Sequence, residues 1–476
     1  MNTSRQNSPA SQDLLLTDAM VLTMDIDRRA YSNGFVWLRQ GRIFKIGSMS
    51  ELTGVDASVE RRSAAGHIIM PGLINCHTHL SNAVLRGLYD EMPLKVWFAK
   101  GMWPVVENLT GEMGETGASI SLLELMTTGV TTSVCGEIGA AHPELLDGVL
   151  TAVERSGIRA IVARIAQDSD NEEDPAQFIP AAFRDTVKHA VAEVQRLQKR
   201  FNSERVSVVP EAMGVMRCTP PMIRAMYELA QEKGTHLTLH AASSQGERDE
   251  SRRRFGHGTI TELGRLGVLG PKTLLAHAIW LDDDEIALLA ETTTGLSHNP
   301  VANAYYASGV ARLADLLDAR VRVGLGVDGA STNNSQNVWE TMKMAMLFQK
   351  QKLENPSFGS AELALELMTR GGAEAIHMED EIGSLAVGKR ADLIVIDTAR
   401  PSLSPIQNVV TNLVYSNDPW AVRDVYVDGE RIVENGRHLR IDQQAVIGNA
   451  GRVLQPLLQA TGLDKYLAQR SSWNWQ

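Results

Sequence analysis

The chain of 476 residues is poor in cysteine, in long apolar runs and in positive charge, and each shortage excludes a class of protein. Its three cysteines, Cys76, Cys135 and Cys218, are too few and too scattered for a disulfide framework or a cysteine-based zinc site. No uninterrupted apolar stretch approaches the length that spans a membrane. A net charge of -11 without a Lys/Arg block argues against nucleic acid and membrane partners. We therefore expect a cytoplasmic protein with reduced thiols.

The chain is long enough for one barrel and a smaller domain. Short strand-like segments lie near the N-terminus, at 14–16, 20–24, 36–39 and 43–46, and two more lie far downstream, at 391–397 and 422–429. We predict that both termini build one small discontinuous β-sandwich domain from residues 1–69 and 385–445. A helical tail is expected at residues 446–476.

Apolar strand-like runs alternate with amphipathic helices between these two blocks. Counting the run that leads into His77, there are eight such runs, and the other seven are 130–134, 160–163, 206–209, 236–239, 273–276, 295–298 and 321–325. This alternation predicts the α/β class and a (β/α)8 TIM-like barrel over residues 70–384. The active site of such a barrel lies at the carboxyl ends of its strands.

The segment 71–79 breaks an apolar run at Pro-Gly and then presents His77 and His79. Residues two apart in an extended chain point to the same face, so both imidazoles can reach one cation. A lone His-x-His pair is more often a hydrogen-bonded part of a core. His240, His277 and Asp328 change that balance, because each follows directly after another strand-like run. Imidazoles and one carboxylate suit a first-row divalent cation with a position open for water.

The chain resembles the amidohydrolase superfamily over nearly its whole length. The matching segments are 71–79, 124–132, 276–277, 297–300 with Asn303, 326–330 followed by 333–334, and 383–393. Arg86-Gly87, Trp97 and Trp103-Pro104 favour the branch that contains S-adenosylhomocysteine deaminase, guanine deaminase and atrazine chlorohydrolase. The resemblance implies a metal-dependent hydrolase.

The resemblance also implies a role for each strand-end residue. His77, His79, His240 and Asp328 would hold one divalent metal ion, and Asp328 would also accept a proton from the attacking water. His277 would orient or stabilise the attacking group.

A single metal ion is expected because the fourth barrel strand lacks a lysine. Binuclear members of the superfamily bridge two metals with a modified lysine there, and residues 206–211 contain no lysine. Zinc is the first expectation, although the same ligands accept iron, cobalt or manganese.

Two positions depart from the pattern of that branch. Its deaminases carry a glutamate three residues after the fifth-strand histidine, where it protonates a ring nitrogen, and this chain has Ser243. Serine does not supply a proton near pH 7. Glu247 is the alternative acid, although we expect a structural or solvent-facing role for it.

The second departure concerns the pocket. Nucleoside-handling relatives have a Pro-His-Ala-Pro segment where this chain has Glu211 and Met213, which favours a more apolar pocket. We predict Ser243, Met213, Trp97 and Glu107 as substrate contacts. Glu107 matches a ribose-binding glutamate of relatives only with a shift of one residue.

These residues predict a mononuclear metal-dependent hydrolase that attacks a small, fairly apolar molecule with activated water. We expect cleavage of a C–N bond in an amide, urea, carbamate or thiocarbamate. The alternative is an aminohydrolase or dechlorinase acting on a purine, pterin or triazine ring. A non-catalytic metal-binding scaffold is the third possibility, against which the retention of His277 and Asp328 argues. Barrels of this kind often pair, so we also expect a homo-oligomer.

Overall fold

The computed structural model describes residues 13–90, 97–139, 142–169, 179–416 and 418–470. The strands in chain order are β1 (Leu14–Leu22), β2 (Ala30–Arg39), β3 (Arg42–Ser48), β4 (Glu60–Ser63), β5 (His67–Pro71), β6 (Leu73–Thr78), β7 (Val130–Ile138), β8 (Arg159–Ala166), β9 (Val206–Ala212), β10 (Leu237–Ala241), β11 (Thr273–His277), β12 (Gly295–His298), β13 (Arg322–Leu325), β14 (Leu393–Asp397), β15 (Val422–Val427), β16 (Glu430–Glu434) and β17 (Arg437–His438).

Helices fill most of the connections between the barrel strands. The α-helices are α1 (Trp103–Val106), α2 (Gly111–Thr127), α3 (Pro143–Ser156), α4 (Val187–Phe201), α5 (Pro220–Lys233), α6 (Gln245–Phe255), α7 (Thr259–Leu266), α8 (Asp283–Glu291), α9 (Pro300–Tyr305), α10 (Leu313–Asp318), α11 (Ala330–Asn333), α12 (Val338–Lys352), α13 (Ala361–Leu367), α14 (Arg370–Ala375), α15 (Val409–Ser416), α16 (Gln443–Thr461) and α17 (Leu463–Arg470). Across the described ranges, none of these helices is both long and apolar enough to cross a bilayer.

Strands β6 to β13 form the predicted barrel. They are parallel and lie side by side in chain order, from β6 at one end of the sheet to β13 at the other. Each strand pairs with the next one along the chain, as successive strand–helix units require. The predicted α/β TIM-like fold is therefore confirmed.

The remaining nine strands form the second sheet, with the order β17-β16-β15-β14-β5-β1-β2-β3 and β4 beside β1. Antiparallel pairing of β5 with β14 joins the N-terminal strands to the C-terminal ones. The β-structure predicted from both termini is thus present as one hydrogen-bonded sheet. Most of its pairs are antiparallel, but β1 runs parallel to β4 and β5.

Gly72 is the single residue between the two sheets. Its neighbour Pro71 ends β5 and pairs with Leu393, whereas Leu73 begins the barrel. A Cβ atom at position 72 would lie 2.1 Å from Oγ1 of Thr131 in β7, so only glycine fits the crossing. This close approach fixes where β6 enters the barrel.

A buried ion-pair network also joins the two sheets. The guanidinium of Arg159, in β8, donates to both carboxylate oxygens of Asp392 at 3.0 and 3.1 Å and to Asp428 at 2.5 Å. The side chain of Arg159 is only 4% exposed. Because each buried charge is paired and hydrogen-bonded, loss of one partner would leave the others uncompensated.

Apolar side chains fill the barrel beneath its carboxyl end. Ile74, Cys76, Val134, Ile161 and Val209 belong to one buried cluster there. The three cysteines are buried and free, and burial raises the pKa of the Cys76 thiol to about 12. The polar residues at the carboxyl ends of the strands therefore lie next to a layer of buried apolar side chains.

Candidate metal centre

The five strand-end residues predicted from the sequence meet at one point. Nε2 of His77 lies 3.5 Å and Nε2 of His79 lies 3.3 Å from Oδ1 of Asp328. Nε2 of His277 is 4.0 Å from Oδ2 of the same carboxylate, and the rings of His77 and His240 have centroids 4.9 Å apart. Possible ligand atoms of His77, His240 and His277, and likewise of His77, His79 and Asp328, lie within 4.8 Å of one another.

Hydrogen bonds between β6 and the segment after β13 set this geometry. Asp328 lies three residues beyond β13, and its backbone N–H donates to the carbonyl of His77 at 3.0 Å. The side chain of Asn75 accepts the N–H of Val327 at 3.0 Å, and the hydroxyl of Thr78 donates to the carbonyl of Asp328 at 2.8 Å. The first and last barrel strands are thus joined by residues of the segment 71–79.

The backbone is strained at several positions around the centre. His277, Asp328 and Ala242 have φ angles of 78°, 62° and 50°, in the left-handed region that favours glycine. Such conformations cost roughly 1–3 kcal/mol each and cluster at functional sites. The neighbouring bonds to His77 and Asn75 hold Asp328 in this conformation.

Two histidines have their ring orientation fixed from outside the centre. Nδ1 of His79 lies 2.5 Å from the carbonyl oxygen of Gly136, and Nδ1 of His277 lies 2.9 Å from Oδ1 of Asn303. In each case Nδ1 carries the proton and Nε2 remains available for a cation or a reacting group. Nε2 of His77 is buried and makes no hydrogen bond among the described residues.

Burial and mutual charge prepare these groups for a cation. Burial lowers the pKa of His77 to about 3, and burial together with the charges of His79 and His277 holds the pKa of His240 well below its usual value. Burial alone would raise the pKa of Asp328, but the surrounding His77, His277 and His79 rings outweigh it and hold that pKa well below the ordinary range. At neutral pH His77 and His240 are therefore neutral imidazoles and Asp328 is an ionised carboxylate, and these are groups that bind a divalent metal.

A cavity of about 440 Å³ opens beside this centre, a volume suited to one small molecule. Of the predicted substrate contacts, Trp97, Met213 and Ser243 line it. Glu107 does not, because it follows α1 with an exposed side chain while the preceding Val106 faces the cavity.

Glu137 is a further polar residue near the carboxyl end of a barrel strand, and it was not among the residues predicted from the sequence. Glu137 lies near the end of β7, is 2% exposed and lines the cavity. Its carboxylate accepts the hydroxyl and the N–H of Ser81 at 2.5 and 3.1 Å. Burial raises the pKa of Glu137, an effect that the charge of His79 partly opposes.

The position of the missing deaminase glutamate is occupied by a serine–glutamate pair. The hydroxyl of Ser243 donates to Oε2 of Glu247 at 2.7 Å. The same carboxylate accepts the backbone N–H groups of Ala242 and Ser243, both at 2.8 Å. Both residues line the cavity and follow His240 by three and seven positions.

Curated relatives resemble the chain over most of their length. It is 32% identical to the 5'-deoxyadenosine deaminase of Methanosarcina acetivorans over 446 residues, covering 94% of this chain and 98% of that protein. It is 33% identical to the 5-methylthioadenosine/S-adenosylhomocysteine deaminase of Nitratidesulfovibrio vulgaris over 442 residues, covering 92% and 96%.

Solved structures share the fold. A zinc-bound adenosine deaminase from Xanthomonas campestris superposes with a TM-score of 0.87 at 24% identity, covering 95% of this chain and 100% of that one. The zinc complex of atrazine chlorohydrolase from Arthrobacter aurescens gives 0.85 at 22% identity, covering 93% and 100%. The model of the Amidohydrolase family matches residues 68–432. The chain therefore belongs to the Amidohydrolase family, whose members include hydrolases of C–N bonds.

Proposed function

We propose that this chain is a zinc-dependent aminohydrolase that replaces the amino group of a purine-type ring with oxygen. The observation that carries the proposal is the convergence of His77, His79, His240 and Asp328 beside a cavity of about 440 Å³. The curated relatives, at 32% and 33% identity over more than nine-tenths of the chain, are named as deaminases of adenine nucleosides. They favour the alternative from the sequence analysis over its first choice, an acyclic amide or urea.

The residues divide the chemistry among them. His77, His79, His240 and Asp328 would hold the cation, which when bound lowers the pKa of a coordinated water to about 7 and so supplies a nucleophile at neutral pH. Asp328 acts as the general base, and its Oδ2 lies 4.0 Å from Nε2 of His277. His277, whose Nδ1 is fixed by Asn303, presents its unprotonated Nε2 to the reacting group and accepts a hydrogen bond from it.

The walls of the cavity bind the rest of the substrate. Trp97, Met213 and Met216 provide apolar contact area for a flat ring or a thioether-like substituent. Trp97 and Met216 are buried and Met213 is partly buried. We expect these side chains to keep bulk water from the reacting carbon, which strengthens the electrostatic contacts within the cavity.

A second candidate is hydrolysis of an acyclic urea, carbamate or amide. Ser243 favours it, because a carbonyl substrate needs no acid at the position where ring deaminases protonate a nitrogen.

Ammonia release and product mass separate the two candidates. Zinc-loaded protein is incubated with adenosine, 5'-deoxyadenosine and 5'-methylthioadenosine, and in parallel with N-substituted ureas, carbamates and amides. Zinc-stripped protein and Asp328→Asn serve as controls. Metal-dependent conversion of a nucleoside to the hydroxylated product supports the aminohydrolase. Turnover of the acyclic compounds alone would replace it with the second candidate, and no turnover at all would leave the scaffold interpretation.

A further inference from the structure

Glu211 is a buried carboxylate that stands directly behind one of the predicted metal ligands. It lies in β9, is 2% exposed, and its Oε1 is 3.0 Å from Nδ1 of His240. Nδ1 of His240 makes no hydrogen bond among the described residues, so the contact with Glu211 is a close approach rather than an aligned hydrogen bond.

The carboxylate is held in this place from two sides. The hydroxyl of Thr238, two residues before His240 on β10, donates to Oε2 of Glu211 at 2.8 Å. On the other side lies Gly136 of β7, where a Cβ atom would come within 2.3 Å of the same Oε2. The absence of a side chain at position 136 therefore leaves the space that Glu211 occupies.

Neighbouring groups contact the outer nitrogens of two predicted metal ligands, His79 and His240. The carbonyl of Gly136 fixes Nδ1 of His79, and Glu211 stands at the corresponding Nδ1 of His240. We propose that Glu211 is a positioning residue that keeps the Nδ1 proton of His240 on the outer side of the ring and so presents Nε2 to the metal.

The physical reason is general. A histidine that gives its outer N–H to a carboxylate is fixed in tautomer and orientation and becomes a better electron donor, and loss of such a partner weakens metal binding roughly 10- to 100-fold. Glu211 touches the ligand rather than the substrate, so its effect is on the site before any substrate binds. This role of Glu211 is the same whichever substrate the enzyme hydrolyses.

The test is zinc affinity measured by competition with a chromogenic chelator, without substrate. Glu211→Met keeps the bulk and removes the acceptor, and we expect its dissociation constant for zinc to rise roughly 10- to 100-fold. Glu211→Gln keeps an acceptor oxygen and should retain affinity closer to the wild type. Thr238→Val removes the second hold on the carboxylate and should give a smaller loss. Substitution of cobalt should show an altered visible absorption spectrum in Glu211→Met.

Thermal unfolding of the metal-free variants separates positioning from a general loss of structure. Glu285→Gln, which changes another buried carboxylate that accepts backbone N–H groups, is the matched control and should leave zinc affinity unchanged. Folded Glu211→Met with zinc affinity within threefold of the wild type overturns the proposal. If that variant fails to fold, an unchanged affinity in folded Thr238→Val overturns it instead.

Discussion

The hydroxyl of Ser243 donates its proton to the carboxylate of Glu247, with 2.7 Å between Oγ and Oε2. Because Glu247 also accepts two backbone N–H groups, its oxygens are already engaged in holding the loop that follows β10. The hydroxyl proton of Ser243 therefore points to Glu247, and the oxygen can only accept hydrogen bonds from the cavity. Glu247 anchors this loop, the structural role expected for it from the sequence.

Introducing an acid at this position should damage the enzyme. In Ser243→Glu the new carboxylate would face that of Glu247 at close range, and two like charges there disfavour the native loop. We expect the rate of ammonia release to fall at least roughly tenfold, whereas Ser243→Ala should fall less. Removing the repulsion in Ser243→Glu/Glu247→Gln should recover part of the loss. A Ser243→Glu enzyme faster than the wild type would show that the loop tolerates the charge and that an added acid aids the reaction.

The metal ligands can be tested one at a time. His240→Ala and Asp328→Asn should abolish turnover, and His240→Ala should also lower the zinc content of the purified protein, because both residues lie within the cluster of possible ligand atoms. His236→Ala is a matched control: this histidine lies just before β10, and its Nε2 lies 2.7 Å from the carbonyl oxygen of Ile376. Full metal occupancy in His240→Ala would remove that residue from the site.

His277 should act on the chemical step and not on metal retention. We expect His277→Ala to lower kcat by roughly 100-fold or more while zinc content is preserved. Asn303→Ala, which removes the partner of Nδ1, should lower kcat less and leave the metal in place. If His277→Ala loses zinc as readily as His240→Ala, the centre has a fifth protein ligand.

The junction between barrel and terminal sheet should dominate stability. Asp392→Asn or Arg159→Met leaves buried charges unpaired, and we expect a loss of about 3–5 kcal/mol in the free energy of unfolding. Denaturant unfolding measures it. The double variant Arg159→Met/Asp392→Leu should lose less than the sum of the single changes, since fewer unpaired charges remain.

Acid should destabilise the chain through His438. Burial, with a contribution from the charge of Arg440, lowers its folded-state pKa to about 4, while Nδ1 accepts the N–H groups of Arg440 and Ile441. A folded pKa below the unfolded value of 6.5 means that the full stabilisation is present above pH 6.5 and is lost as the pH falls toward 4. One pKa unit corresponds to about 1.4 kcal/mol, so the loss is about 3 kcal/mol at pH 4 and about 3.5 kcal/mol once the ring is fully protonated.

Unfolding curves between pH 7 and pH 4 check this prediction. His438→Asn keeps an acceptor without a titrating ring, and its stability should fall less steeply over that range. Equal slopes for the two proteins would assign the acid sensitivity to other groups.

The barrel and the cluster of strand-end residues followed from local sequence pattern. Alternating apolar runs gave the strand order, and polar residues after those runs gave His240, His277 and their partners, because parallel strands end on one rim. The contact between Glu211 and His240 could not be predicted, since it depends on the distance between side chains on adjacent strands. Glu107 shows a related limit: a shift of one residue at the end of α1 turns a side chain from the cavity to solvent.

The hydrogen bonds that join β6 to the segment after β13 lie at the predicted metal centre, so the same residues also close the barrel. His77 and Asp328 lie on opposite sides of the seam where the ring of strands closes, and a backbone hydrogen bond already links them. A metal ion bound by both residues would add a second link between the first and last strands. Metal binding should therefore slow amide hydrogen exchange at Asp328 and Val327 more than in the middle of the sheet. Metal binding would therefore also stabilise the closure of the barrel.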